Sequence, residues 1–281
     1  MWKRLLLACA LGLSAGCGGF RDIETRQLEA TAPSSPVRFF YDTEGGKAEA
    51  FLVRPEGRGP FPLIVLLHGH NRNGSGAEVL RPVAELFANK MCYAALAVSL
   101  PGYGATQVAN GGDRDVVAGV LADGIADASK LSWIDPKRIL LYGFSRGAVF
   151  GASSVSRLPR LQAVILHSGA YDLAQLYHDT SASWVRQVLN PAGDANPKLF
   201  NVLPEVDKWR APTLVLHGAK DGLLPVNQAK MLDERLTAAN IPHRTVIFPD
   251  AGHRLPLDGV AKAVFAFLQQ YAGGACATNG R

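Results

Sequence analysis

Residues 138–148 read Arg138-Ile139-Leu140-Leu141-Tyr142-Gly143-Phe144-Ser145-Arg146-Gly147-Ala148. Up to Tyr142 this is a short apolar run of strand character, and the small residues from Ala148 to Leu158 suit a closely packed helix. Between them Gly143-Phe144-Ser145-Arg146-Gly147 fits the pattern Gly-x-Ser-x-Gly. Its glycines relieve a crowded, sharp turn that lifts a serine hydroxyl clear of a strand-to-helix junction. The string alone is weak, because Gly12-Leu13-Ser14-Ala15-Gly16 fits it as well, inside an apolar N-terminal segment. Only Ser145 has a strand before it and a helix after it, and it is the candidate nucleophile.

A serine hydroxyl is a poor nucleophile without a base, and the base needs an acid to hold its tautomer. Downstream, Leu214-Val215-Leu216-His217-Gly218-Ala219-Lys220-Asp221 reads as a strand followed by a loop presenting a carboxylate. Phe248-Pro249-Asp250-Ala251-Gly252-His253 reads as a strand end followed by a loop presenting a histidine. Asp221 and His253 are therefore the candidate acid and base. Asp172, after the strand that follows the nucleophile helix, competes for the acid role. Asp250 does so less well, since the loop would have to fold back over three residues.

Working outward, the apolar runs Leu63–Leu67, Tyr93–Val98, Arg138–Tyr142, Leu161–Leu166, Thr213–Leu216 and Arg244–Phe248 are continuous rather than alternating. Such runs suit strands covered by helices on both faces. Val117, Val120, Gly124, Ala128 and Leu131 recur at helical spacing, and Val260, Val264, Phe267, Leu268 and Tyr271 do so more clearly. Val37–Asp42 and Ala48–Arg54, joined by Thr43-Glu44-Gly45-Gly46-Lys47, predict an antiparallel hairpin at the sheet edge. The fold class is α/β: a doubly wound, mostly parallel sheet of about eight strands. Residues 171–210, which include Trp184, show no clear strand and are either a small helical cap over the site or a crossover with long loops.

With these residues in place, the stretch from Pro62 to Tyr271 resembles the α/β-hydrolase superfamily, whose chain order is also Ser, Asp, His. The segment from Ala211 through Asp221 to Pro225, with Ala251-Gly252-His253, is most similar to dienelactone hydrolases and to the catalytic domain of prolyl oligopeptidases. Two departures stand out. Dienelactone hydrolases typically carry a cysteine where this chain has Ser145, and prolyl oligopeptidases carry a large N-terminal propeller where this chain has a short segment and a hairpin. The resemblance implies Ser145, Asp221 and His253 as nucleophile, acid and base. It also implies an oxyanion hole from the backbone N–H groups of Arg146 and of His70 in His68-Gly69-His70-Asn71, with Asn71 the alternative to His70.

The Arg146 side chain either attracts an anionic substrate or sits in a structural ion pair, the commoner case for such a residue. His68, His167 and His217 end strands and read as packing or pocket residues. His68 and His70 lack a third ligand at metal-site spacing, and no nucleotide-binding glycine motif is present, so no metal or cofactor is implied.

The N-terminus adds a location. Lys3 and Arg4, an apolar run from Leu5 to Leu13 and the small residues before Cys17 read as a signal peptide over residues 1–16. The junction resembles a lipoprotein lipobox, with Cys17 as the lipidation site, although Ser14 departs from the usual pattern. Residues 17–36 then form a tether, 37–272 a single domain and 273–281 a tail. Neither Gly18 nor Gly19 is the aspartate that marks inner-membrane retention, which favours the outer membrane facing the periplasm. Removing Lys3 and Arg4 lowers the formal net charge from +5 to +3, too little to suggest a nucleic-acid partner. Cys92 and Cys276 remain as either a disulfide or unpaired residues. The expected chemistry is acyl transfer on small esters, with cleavage of short peptides the alternative and a non-catalytic lipid-anchored binding protein the remaining reading.

Overall fold

The computed structural model describes residues 27–195 and 197–273. Eight strands form one sheet: β1 (Val37–Thr43), β2 (Gly46–Val53), β3 (Phe61–Leu67), β4 (Ala94–Val98), β5 (Ile134–Phe144), β6 (Ala163–His167), β7 (Thr213–Gly218) and β8 (His243–Phe248). Their order is β1-β2-β4-β3-β5-β6-β7-β8. The β1–β2 hairpin is antiparallel and joins β4 antiparallel, while every pairing from β4 to β8 is parallel. The α/β-hydrolase sheet expected from the sequence, with its edge hairpin, is thus present.

The continuous apolar runs serve two cores. Along β3, Leu63, Val65 and Leu67 face one helical layer and Ile64 and Leu66 the other, as the two-residue period of a strand requires. The first layer contains α2 (Arg114–Ala128), α3 (Arg146–Ser154) and α6 (Asn227–Ala238). The second contains α1 (Arg81–Met91) and α7 (Leu257–Tyr271). All five of those β3 side chains are fully buried, a contribution of about 1.5–3 kcal/mol each by transfer from water.

Residues 171–210, between β6 and β7, hold α4 (Leu173–Asp179), α5 (Ser183–Leu189) and a 3₁₀ turn at Leu203–Lys208. Their apolar residues Leu173, Leu176 and Val185 pack with Val149 of α3 and with Leu224 into a separate small core. Asp172 is the N-cap of α4: its Oδ1 accepts the Gln175 N–H at 3.0 Å and its Oδ2 the Asn201 amide at 2.7 Å. That use removes it as a rival acid.

One boundary differs from the sequence reading. Residues 27–36, expected as the end of a tether, pack on the domain because Leu28 is apolar and finds the first core. Glu29 accepts the backbone N–H and hydroxyl of Ser132 at 2.5 and 2.9 Å. Cys17, the signal segment, Cys276 and residues 274–281 of the tail lie outside the described residues.

A buried carboxylate fixes the loop after β4. Glu49 of β2 is 2% exposed; its Oε2 accepts the Ser99 hydroxyl at 2.7 Å and the Ala105 N–H at 2.9 Å. The half-exposed Arg38 reaches Oε1 at 2.6 Å. Burial pushes the Glu49 carboxyl up, but the Ala105 N–H, the Ser99 hydroxyl and Arg38 outweigh it and hold it below its ordinary value. A depressed carboxyl pKa stabilises the fold above the unfolded-state pKa, and that stabilisation is lost as pH falls through the folded-state value. Glu49→Gln should therefore lower unfolding stability by about 1.5–3 kcal/mol at neutral pH. The deficit should shrink below about pH 4. Urea midpoints at unchanged slope measure it, and a deficit independent of pH would contradict this role.

Candidate active site

Ser145 stands between β5 and α3 at φ 54° and ψ −118°, a region that non-glycine residues seldom occupy. Its N–H donates to the His167 carbonyl at 2.8 Å, and its carbonyl accepts from Ala148 and Val149 at 2.9 and 3.1 Å. The flanking glycines make this turn possible. A Cβ on Gly143 would stand 2.3 Å from the Gly147 carbonyl oxygen, and one on Gly147 would stand 2.2 Å from that of Leu67.

The structure brings Ser145, His253 and Asp221 together. His253 Nε2 lies 2.9 Å from Ser145 Oγ, and His253 Nδ1 lies 2.7 Å from Asp221 Oδ2. Asp221 Oδ1 also accepts the N–H groups of Leu223 and Leu224 at 2.9 and 3.0 Å. Burial alone would raise this carboxyl, whose side chain is wholly enclosed. Donation from His217 and His253, the charge attraction of His253 and the Leu224 N–H hold it far below the usual carboxylate range instead. An ionised carboxylate only accepts, so His253 carries its proton on Nδ1 and turns the Nε2 lone pair toward the Ser145 hydroxyl. Asp250 is an exposed partner of Lys220 at 2.8 Å, away from this chain of hydrogen bonds.

The loop after β3 lies against the nucleophile: a Cβ on Gly69 would stand 3.2 Å from Ser145 Cβ. His68, fully buried, accepts the Leu100 N–H at 3.1 Å through Nε2 and donates from Nδ1 to the Gly69 carbonyl at 2.8 Å. His70 Nδ1 lies 2.5 Å from the Tyr103 hydroxyl, and its ring stacks on Trp184 of α5 at 5.6 Å. The Asn71 side-chain amide donates to the Ser75 carbonyl at 2.7 Å. Among the described residues no hydrogen bond occupies the backbone N–H of His70 or of Arg146.

Several supporting residues carried no sequence signal for their roles. Tyr103 and Trp184 hold His70 through contacts between distant segments. His217, read as a packing residue, is fully buried and places Nε2 2.7 Å from the Leu224 carbonyl and 3.4 Å from Asp221 Oδ2. His167 pairs with the Tyr142 hydroxyl at 2.7 Å. Burial pushes its pKa down to about 3, with the neighbouring His253 and His217 adding to the effect. Arg146, for which an ion pair was the commoner expectation, has no carboxylate partner among the described residues. Its Nη2 donates to the Gly111 carbonyl at 2.5 Å, and its guanidinium lies 4.7 Å from the Phe150 ring centroid.

Ser145 opens into a cavity of about 170 Å³ walled largely by Val149, Phe150, Leu176, Trp184, Leu199 and Leu224, half of them from the 171–210 segment. That segment is thus part of the site.

Comparison with known proteins fits this geometry. The sequence profile of the prolyl oligopeptidase family matches residues 114–275. The uncharacterized peptidase YuxL of Bacillus subtilis is 26% identical over 258 residues, covering 80% of this chain and 36% of that one. The acylaminoacyl peptidase of Pyrococcus horikoshii has the same fold at TM-score 0.70 and 18% identity, over 88% of this chain and 43% of that one. The esterase Pf2001 of Pyrococcus furiosus follows at TM-score 0.68 and 20% identity, over 84% of this chain and 90% of that one. The chain therefore spans well under half the length of the two peptidases and most of the length of the esterase.

Proposed function

Because the chain belongs to the prolyl oligopeptidase family and is a serine hydrolase of the α/β type, we propose that it cleaves carboxylic esters through an acyl-enzyme on Ser145. The observation that carries this reading is the unbroken hydrogen-bond chain from buried Asp221 through His253 to Ser145. Ser145 Oγ attacks the ester carbonyl carbon while His253 Nε2 takes its proton, and Asp221 stabilises the imidazolium that forms. The developing oxyanion is received by the N–H groups of Arg146 and His70, the first of them also at the positive end of α3. The protonated His253 returns its proton to the departing alcohol. Water, deprotonated by the same histidine, then releases the acid.

Two observations favour an ester over a peptide. The cavity wall is mostly apolar, and among the described residues it contains no carboxylate to receive a free peptide amino terminus. Family membership keeps short peptides as the second reading. Location is a separate proposal from the N-terminal sequence: Cys17 is lipidated and holds the domain at the cell envelope, so Cys17→Ser should move the protein from the membrane fraction to the soluble one.

A fluorophosphonate probe should label the purified protein and not Ser145→Ala, and that variant should lose at least about 10⁴-fold in turnover of p-nitrophenyl acyl esters. Asp221→Asn should lose on the order of 10³–10⁴-fold, because His253 then takes the wrong tautomer. Acyl esters should be cleaved far faster than proline-anilide peptides. The reverse preference would select the peptidase, and a folded, unlabelled, inactive wild type would contradict both.

A further inference from the structure

Four arginines of this domain have acidic partners: Arg38 pairs with Glu49, Arg114 and Arg157 with Glu205, and Arg235 with Asp207. The partly buried Arg54, Arg138 and Arg186 donate to backbone carbonyls instead, as Arg146 does, but of these only Arg146 lines the cavity. It lines the cavity directly beside Ser145, has no carboxylate partner among the described residues, and its Nε is buried without a hydrogen-bond partner. Burial lowers its pKa, and an arginine stays charged even so. The Phe150 and Tyr103 rings, 4.7 and 5.7 Å from its Cζ, and the Gly111 carbonyl compensate that charge only in part. Lys198 adds a second cation to the cavity wall, and among the described residues no aspartate or glutamate lines it. A desolvated guanidinium fork with donors to spare, in a cavity of one charge sign, is built to receive a carboxylate.

We propose that Arg146 makes this enzyme selective for esters that carry a carboxylate, the substrate supplying the counter-ion that the fold omits. The inference rests on the hydrolase reading above and extends it to substrate class. The carboxylate sits on an otherwise apolar body, because the remaining wall from Val149, Leu176 and Leu199 offers only apolar contact.

Two matched comparisons test it. Mono-p-nitrophenyl glutarate against p-nitrophenyl butyrate places the charge on the acyl side, and 4-butyryloxybenzoate against phenyl butyrate places it on the alcohol side. The wild type should favour the anionic member of at least one pair in kcat/KM, mainly through KM. Added salt should erode the preference. Arg146→Gln should cut that anionic-to-neutral ratio at least about ten-fold, and Arg146→Lys should restore part of it. If Arg146 only packs against Phe150, Arg146→Gln will lower both members of each pair alike and the ratio will hold, which overturns the proposal. No anionic preference in the wild type overturns it as well. Neutral-ester turnover and fluorophosphonate labelling report on the hydrolase reading separately. Should no ester be cleaved, calorimetric titration of glutarate into the wild type and Arg146→Gln decides the binding claim alone: binding lost in the variant supports it, and no binding to either protein refutes it.

Discussion

A non-glycine residue held at the backbone angles of Ser145 costs about 1–3 kcal/mol, and most of the site exists to hold it there. The parallel pairing of β5 with β3 and β6 brings the Leu67 carbonyl and the His167 carbonyl to the two sides of the turn. Gly143 and Gly147 allow backbone to meet backbone where any side chain would collide. Once the turn is fixed, the sheet delivers the other groups. His70 follows β3, Asp221 follows β7 and His253 follows β8, all at the carboxyl ends of parallel strands, where open α/β sheets present their ligand sites.

Electrostatics does the remaining selection. A fully enclosed carboxylate is costly, and Asp221 persists as an anion because two backbone N–H groups and two imidazoles face it. Its charge then dictates the tautomer of His253. His167 is kept neutral by burial and holds Ser145 through its backbone rather than its ring. The 171–210 segment joins this network at two places: the Trp184 ring lies on His70, and the Thr180 and Ser181 hydroxyls donate to the Leu223 and Gly222 carbonyls of the Asp221 loop at 2.8 and 2.9 Å.

The sequence exposed some of this plainly and hid the rest for physical reasons. The strands were legible because each buries both faces, which leaves continuous apolar runs. Ser145, Asp221 and His253 were legible because each occupies a loop that a strand must precede. The 171–210 segment was not, because its short helices take their stability from Val149 and Leu224 rather than from their own periodicity. Leu28 gave no warning that residues 27–36 would pack on the domain, since one apolar residue in a polar stretch has no pattern. The missing partner of Arg146 was equally hidden: composition offers many acids, and only the fold shows that among the described residues none pairs with it.

The central claim is that the turn at Ser145 aims its hydroxyl at a carbonyl whose oxygen meets the N–H groups of His70 and Arg146. A crystal structure of the wild type after reaction with an alkyl fluorophosphonate tests this directly. The account predicts a bond from phosphorus to Ser145 Oγ, with the phosphonyl oxygen about 2.7–3.1 Å from both nitrogens. An adduct on another residue, or a phosphonyl oxygen turned away from both N–H groups, would contradict it.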